Sequence, residues 1–172
     1  LIIDISLLPS NSHLIGVGYP FIVAVFTFFF KDNYFPLILL NVFFSTCTVY
    51  IIFAIARNVF SNNIAIISSI WSSFYVLFFL YIPRIHKEVF TQMLLPLFIL
   101  LVIHEINRKS FSLKSILPVL SFTYLIHTDE RYFILLPFIT ISMILLDKSR
   151  NIGFKKAIIF FTTVLICMAP WL

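Results

Sequence analysis

Apolar residues run in long blocks along this chain, and short polar islands separate them. Leu1 to Leu8 is apolar apart from Asp4 and leads into a polar stretch, PSNSH, at residues 9–13. Gly16, Gly18 and Pro20 then interrupt the backbone before an apolar run from Phe21 to Phe30, closed by Lys31 and Asp32. So short a run cannot cross about 30 Å of hydrocarbon, which predicts an interfacial or re-entrant helix. Tyr34 to Ala56 is long enough, about 34 Å as a helix, and predicts the first full span. After the turn NVFSNN a second span is expected from Ile64 to about Ile82. Val89 to Ile106 descends again, and Ser115 to Ile126 ascends with Pro118 inside it. Tyr132 to Leu146 descends, and Ala157 to Leu172 rises once more. The expected fold class is all-α: a polytopic transmembrane helix bundle with about five spans, a truncated sixth and a short interfacial helix. It forms one membrane region, with residues 1–33 as an extracytoplasmic loop plus interfacial helix and residues 34–172 as spans.

Composition agrees. The chain is 61% hydrophobic and 11% charged, with a mean hydropathy of +1.07. A soluble domain of this size has no interior large enough for that much apolar surface, so an integral membrane protein is expected. Position 1 is Leu and the last residues, Ala-Pro-Trp-Leu, fall within an apolar run, which points to a piece of a longer polytopic protein. Cys47 and Cys167 both lie in apolar runs and read as small apolar residues rather than as a disulfide or metal pair. Asn41, Ser45 and Thr48 share one helical face and read as packing groups. Ser68, Ser69, Ser72 and Ser73 are expected to bond back to their own helix or pack on a neighbour.

The net charge of +5 is dispersed among loops, which favours a topology signal over nucleic-acid binding. Alternating spans place Arg57, Arg108, Lys109, Lys114, Lys148, Arg150, Lys155 and Lys156 on one side with Glu105 and Asp147, net +6. Lys31, Arg84, Lys87 and Arg131 lie on the other with Asp4, Asp32, Glu88, Asp129 and Glu130, net −1. The Lys and Arg excess marks the first side as cytoplasmic. Two charged islands, residues 81–92 (YIPRIHKEVFTQ) and 127–131 (HTDER), therefore meet on the non-cytoplasmic face.

A helix starting near Pro83 would put Arg84, Lys87, Glu88 and Thr91 on one face, with Gln92 one turn after Glu88. Charges at the mouth of a membrane helix are costly to place and mark a functional site unless they are interfacial anchors. Cations beside carboxylates suit a lipid phosphate: Lys87, Arg84 and Arg131 to neutralise it, and Glu88, Asp129 or Glu130 to orient hydroxyls or take a proton. His86 and His127 complete the substrate-binding set. They could also hold a divalent cation with Glu88 or Asp129, but no HxxxH pair supports a protein-bound metal. His104 and Glu105 lie about 25 Å from Glu88 along the helix and read as an interfacial pair. No P-loop, GxSxG or GxGxxG is present.

The stretch GYPFIVAVFTFFFKDNYFPLILLNVFFSTCTVYIIFAIARNVFSNN, the Lys87-Glu88 pair, TDERYFILLP at 128–137 and Pro170-Trp171 together resemble GT-C fold membrane glycosyltransferases of family 39 and the ArnT- and RgtA-like group. The resemblance covers residues 16–172. It implies a polyprenyl-phosphate-linked sugar as donor and a lipid, glycan or protein as acceptor. It also implies a multi-pass protein of a bacterial inner membrane, or of the endoplasmic reticulum in a eukaryote. The family's Thr-Arg-Pro-Glu is not intact here, since Asp129 and Glu130 stand where Arg and Pro would be. The family's main catalytic acid precedes the Gly-Tyr-Pro, so it is expected upstream of Leu1 and this stretch alone is expected to be inactive. The competing reading is a multi-pass transporter or flippase subunit with the islands as gates. That class keeps ionisable groups near the midplane and shows repeat symmetry, whereas here the charges sit at helix ends and no repeat is visible. A structural subunit of a membrane complex would need no chemistry from the islands.

Overall fold

The computed structural model describes residues 18–31, 33–75, 82–83, 86–108, 115–147 and 150–169. Among them the chain is helical: α1 (Gly18–Phe30), α2 (Phe35–Val59), α3 (Asn62–Ser73), α4 (Lys87–Ile106), α5 (Ile116–Thr128), a 3-10 turn (Glu130–Ile134), α6 (Leu135–Leu146) and α7 (Arg150–Met168). The all-helical expectation holds. By length and apolarity α2 and α4 can each cross a membrane, while α1 and α5 are shorter apolar helices. The first full span extends one turn further than the hydropathy suggests, because Arg57 in the last turn complements the helix dipole instead of ending the helix.

Local chemistry sets the helix starts. Asn33 Oδ1 accepts the Phe35 N–H at 3.0 Å, and Pro36 occupies the first turn of α2, where its missing N–H costs nothing. His86 is extended and caps α4, its Nδ1 accepting the Glu88 N–H at 3.4 Å, with the Glu88 carboxylate in the first turn. The helix therefore begins at Lys87 and not near Pro83. Arg84 itself lies outside the described residues, as do Asp4 and the other positions before Gly18.

α2 packs on α3 and α4, α4 on α5, and α7 on both α5 and α6. The core is aromatic. Phe98 of α4 and Phe122 of α5 lie 4.7 Å apart, and Phe160 of α7 closes the trio at 5.7 and 6.1 Å. Nearer the other end, Phe90 meets Phe44 at 4.9 Å, Tyr124 edge-on at 5.6 Å and Tyr19 at 6.3 Å. Such tilted and edge-on pairs add to the burial of the rings themselves. The outward faces carry exposed Phe28, Phe43, Ile67, Trp71, Phe138 and Ile166, as a bundle solvated by lipid requires.

Several hydroxyls inside the helices bond back to their own backbone. Ser69, Ser72 and Ser73 donate to carbonyls three residues back, and Thr48 to Phe44 O at 2.8 Å. Asn41 acts between elements. Its Nδ2 donates to Ile82 O at 3.0 Å and ties the segment ahead of α4 to α2.

Candidate functional site

The two charged islands meet at one end of the bundle. α4 supplies Lys87 and Glu88, and the corner between α5 and the 3-10 turn supplies Asp129 and Arg131. Asp129 ends α5 in extended backbone, and its side chain turns inward until only 2% of it is exposed. The Arg131 Nε donates to Asp129 Oδ1 at 2.9 Å and to Oδ2 at 3.1 Å, and its Nη2 donates to the same Oδ2. The Lys87 Nζ lies 3.6 Å from that oxygen as well. Arg131 Nη2 also reaches Glu88 Oε1 at 3.5 Å. The hydrogen bonds from Arg131, with the charge of Lys87 behind them, hold the Asp129 carboxyl below the usual carboxylate range despite its burial. The same pairing raises the Arg131 guanidinium, so it stays charged at any working pH. Burial, with the charges of Asp129 and Glu88, pushes the Tyr132 phenol up.

The four groups cancel in charge but not in orientation. Asp129 is buried, whereas Lys87 is 35% and Arg131 71% exposed, with Glu88 at 27%. Of these four groups the two cations face outward most, with the Glu88 carboxylate partly accessible at their edge.

The other residues expected at this site take varied positions. Glu130 opens the 3-10 turn and is exposed; His127 is half-buried in the last turn of α5. His86 is engaged as the α4 cap. No group of three or more His, Cys, Asp or Glu residues able to hold a metal ion occurs among the described residues.

Two supports of the site were not foreseen. Gly18 lies so close to Thr128 that a Cβ there would fall 2.3 Å from Thr128 Oγ1, and Tyr124 Oη donates to Gly18 O at 2.9 Å. The start of α1 is thus locked against the end of α5, beside Asp129. One turn along α4 from Glu88, a cleft of about 370 Å³ is lined by Thr48, Ser72, Gln92, Pro96 and Tyr132 among others.

The opposite end holds a buried network where loop charges were expected. Lys156 is only 3% exposed. Its Nζ donates to Glu105 O and Arg108 O, both at 2.7 Å, and to Asp147 Oδ2 at 3.0 Å. Glu105, also 3% exposed, accepts from Ser115 Oγ at 2.8 Å and from Arg108 Nη1 at 3.1 Å. Glu105 is therefore a buried hub and not an interfacial partner of His104, which is exposed and bonds back to Leu100 O. The pattern that reveals this is periodic: Lys156, unlike Lys155, shares the face of Phe160 and Val164, which is the buried stripe of α7.

An all-helical bundle with apolar outward faces is the architecture of a membrane protein, and cations at its mouth are the chemistry that suits an anionic group. Comparison with known families identifies the class. The model of the dolichyl-phosphate-mannose-protein mannosyltransferase family matches residues 16–172, and the chain belongs to that family. It is an integral membrane, mannosyltransferase-like glycosyltransferase. No curated protein and no solved structure matches it.

Proposed function

We propose that this chain is the membrane core of a transferase that moves a sugar from a polyprenyl-phosphate donor to a lipid, glycan or protein acceptor on the non-cytoplasmic face, in a bacterial inner membrane. The observation that supports it most is the pair of outward cations, Lys87 and Arg131, gathered from two elements onto one buried carboxylate. Arg131 keeps N–H groups on its exposed edge and Lys87 is held by a single contact at 3.6 Å, so both can reach a phosphate oxygen. The excess of Lys and Arg at the opposite end supports a non-cytoplasmic position for this mouth.

In the reaction an acceptor hydroxyl oxygen attacks the anomeric carbon and gives its proton to the carboxylate that the family resemblance expects in the loop ahead of α1. The bond from that carbon to the phosphate oxygen breaks, and the polyprenyl phosphate leaves with the electron pair. Lys87 and Arg131 stabilise the negative charge that grows on the leaving phosphate. Glu88, the accessible carboxylate, orients sugar hydroxyls. Gly18 is held at Thr128, so α1 begins beside the island. That is where the family resemblance expects the loop that carries the main acid.

The test supplies radiolabelled polyprenyl-phosphate mannose to membranes containing the full-length protein and follows label into acceptor. Lys87→Ala at matched expression is expected to lower transfer at least about tenfold, or about 1.4 kcal/mol of transition-state stabilisation. Undiminished turnover in that variant would remove Lys87 from the site. Absence of transfer from any polyprenyl-phosphate sugar would overturn the whole reading.

A further inference from the structure

We infer that Asp129 is a positioning residue: its buried carboxylate, chiefly through the single oxygen Oδ2, holds Lys87 and Arg131 together as one two-pronged clamp for the donor phosphate. The inference rests on the transferase reading above and deepens it.

Three observations carry it. Asp129 is 2% exposed, so no substrate reaches it. Both of its oxygens are occupied, Oδ1 by Arg131 N at 3.3 Å and Nε at 2.9 Å, and Oδ2 by Arg131 Nε and Nη2 and by the charge of Lys87. A carboxylate covered in this way by cations is a poor acceptor for a proton from a substrate hydroxyl. Finally, Lys87 and Arg131 come from elements far apart in sequence, and Oδ2 is the atom they share. Long side chains at the rim of a bundle sample many rotamers. Fixing both before the phosphate arrives removes an ordering cost from binding. Asp129 thus takes a different part from Glu88, which remains accessible, and from Glu130, which is exposed.

The sign of one measurement separates positioning from simple electrostatics. Replacing Asp129 by Asn removes a negative charge beside an anion site, and by charge alone that change tightens donor binding. Loss of the clamp weakens it. The cations that lose their partner reach solvent, so the variant is not left with a buried unpaired charge.

The experiment measures KM for polyprenyl-phosphate mannose and kcat at saturating donor, in the full-length protein, for wild type, Asp129→Asn and Asp129→Glu. Asp129→Asn is expected to raise the donor KM about tenfold with kcat within about twofold, and Asp129→Glu to recover part of the loss. A donor KM that is unchanged or lower, or a kcat that collapses at saturating donor, overturns the proposal. A second comparison holds even if Asp129→Asn folds poorly. A residue that acts only through Lys87 and Arg131 adds nothing to the donor KM of the Lys87→Met/Arg131→Gln protein when Asp129→Glu is introduced there. An added effect of tenfold or more in that background also overturns it. Wild-type protein without transfer from any polyprenyl-phosphate sugar refutes the transferase reading itself. Wild-type transfer with an unaltered KM in Asp129→Asn refutes only the positioning role.

Discussion

Replacing Lys156 by Met is the most exacting test of the packing described above. The side chain keeps its length and loses only its charge and its N–H groups. In the wild type those N–H groups serve the Glu105 carbonyl in the last turn of α4, the Arg108 carbonyl just beyond it, and the Asp147 carboxylate that follows α6. Lys156 is thus both the cationic cap of one helix and the counter-ion of another. Each bond involves a charged group and is valued at roughly 1.5–3 kcal/mol, but these bonds share one nitrogen and their values do not simply add. The cost of breaking a buried pair by removing one partner is the better guide, about 3–5 kcal/mol. For a chain of this size that is a fall of about 6–20 °C in the thermal midpoint. Cys47 and Cys167 are free and only half-buried, so a thiol-reactive fluorophore reads the unfolding in detergent. Changing Asp147 to Leu as well removes the carboxylate that faced Lys156 and is expected to recover about half of the loss, the helix carbonyl still lacking its cap. A midpoint within about 2 °C of wild type for Lys156→Met would refute the reasoning. So would a double variant no more stable than the single one.

The site end offers two further outcomes. Gly18→Ala places a methyl group against Thr128 Oγ1, and since Gly18 does not have positive φ the cost is steric, about 1–3 kcal/mol. Thr128→Ala in the same protein is expected to return part of the lost thermal midpoint, and no rescue would count against the contact. The depressed Asp129 group sets a pH dependence: its pairing contributes fully above the ordinary carboxylate value of about 3.9 and is lost as pH falls through its lower folded value. Donor KM is accordingly expected to stay free of any Asp129 contribution from neutral pH down to about 5, and a midpoint near 6 that vanishes in Asp129→Asn would contradict the pairing.

Much of this arrangement could be read from the order of residues. Apolar block lengths located α2 and α4, and the parity of the spans brought the residue pairs 87–88 and 129–131 to one end, where the salt bridges now place them. Reading helix starts from proline alone failed at Pro83, because the His86 ring supplies the cap three residues later. Depth was the other gap. Asp129 and Lys156 sit within runs of charge that look solvated in one dimension, yet each is nearly sealed by partners from other helices. Burial of an ion depends on the neighbours that compensate it, and those neighbours are 42 positions away for Asp129 and 51 for the Glu105 carbonyl.

The lysine inside α7 also constrains the order in which the protein can be built. An isolated α7 carries Lys156 without the partners that neutralise it in the bundle. The carbonyls that neutralise Lys156 belong to α4 and its exit, made dozens of residues earlier. Lys156 gains these partners only when α7 docks on the helices made before it, so the seating of this last helix depends on the assembly of the earlier ones.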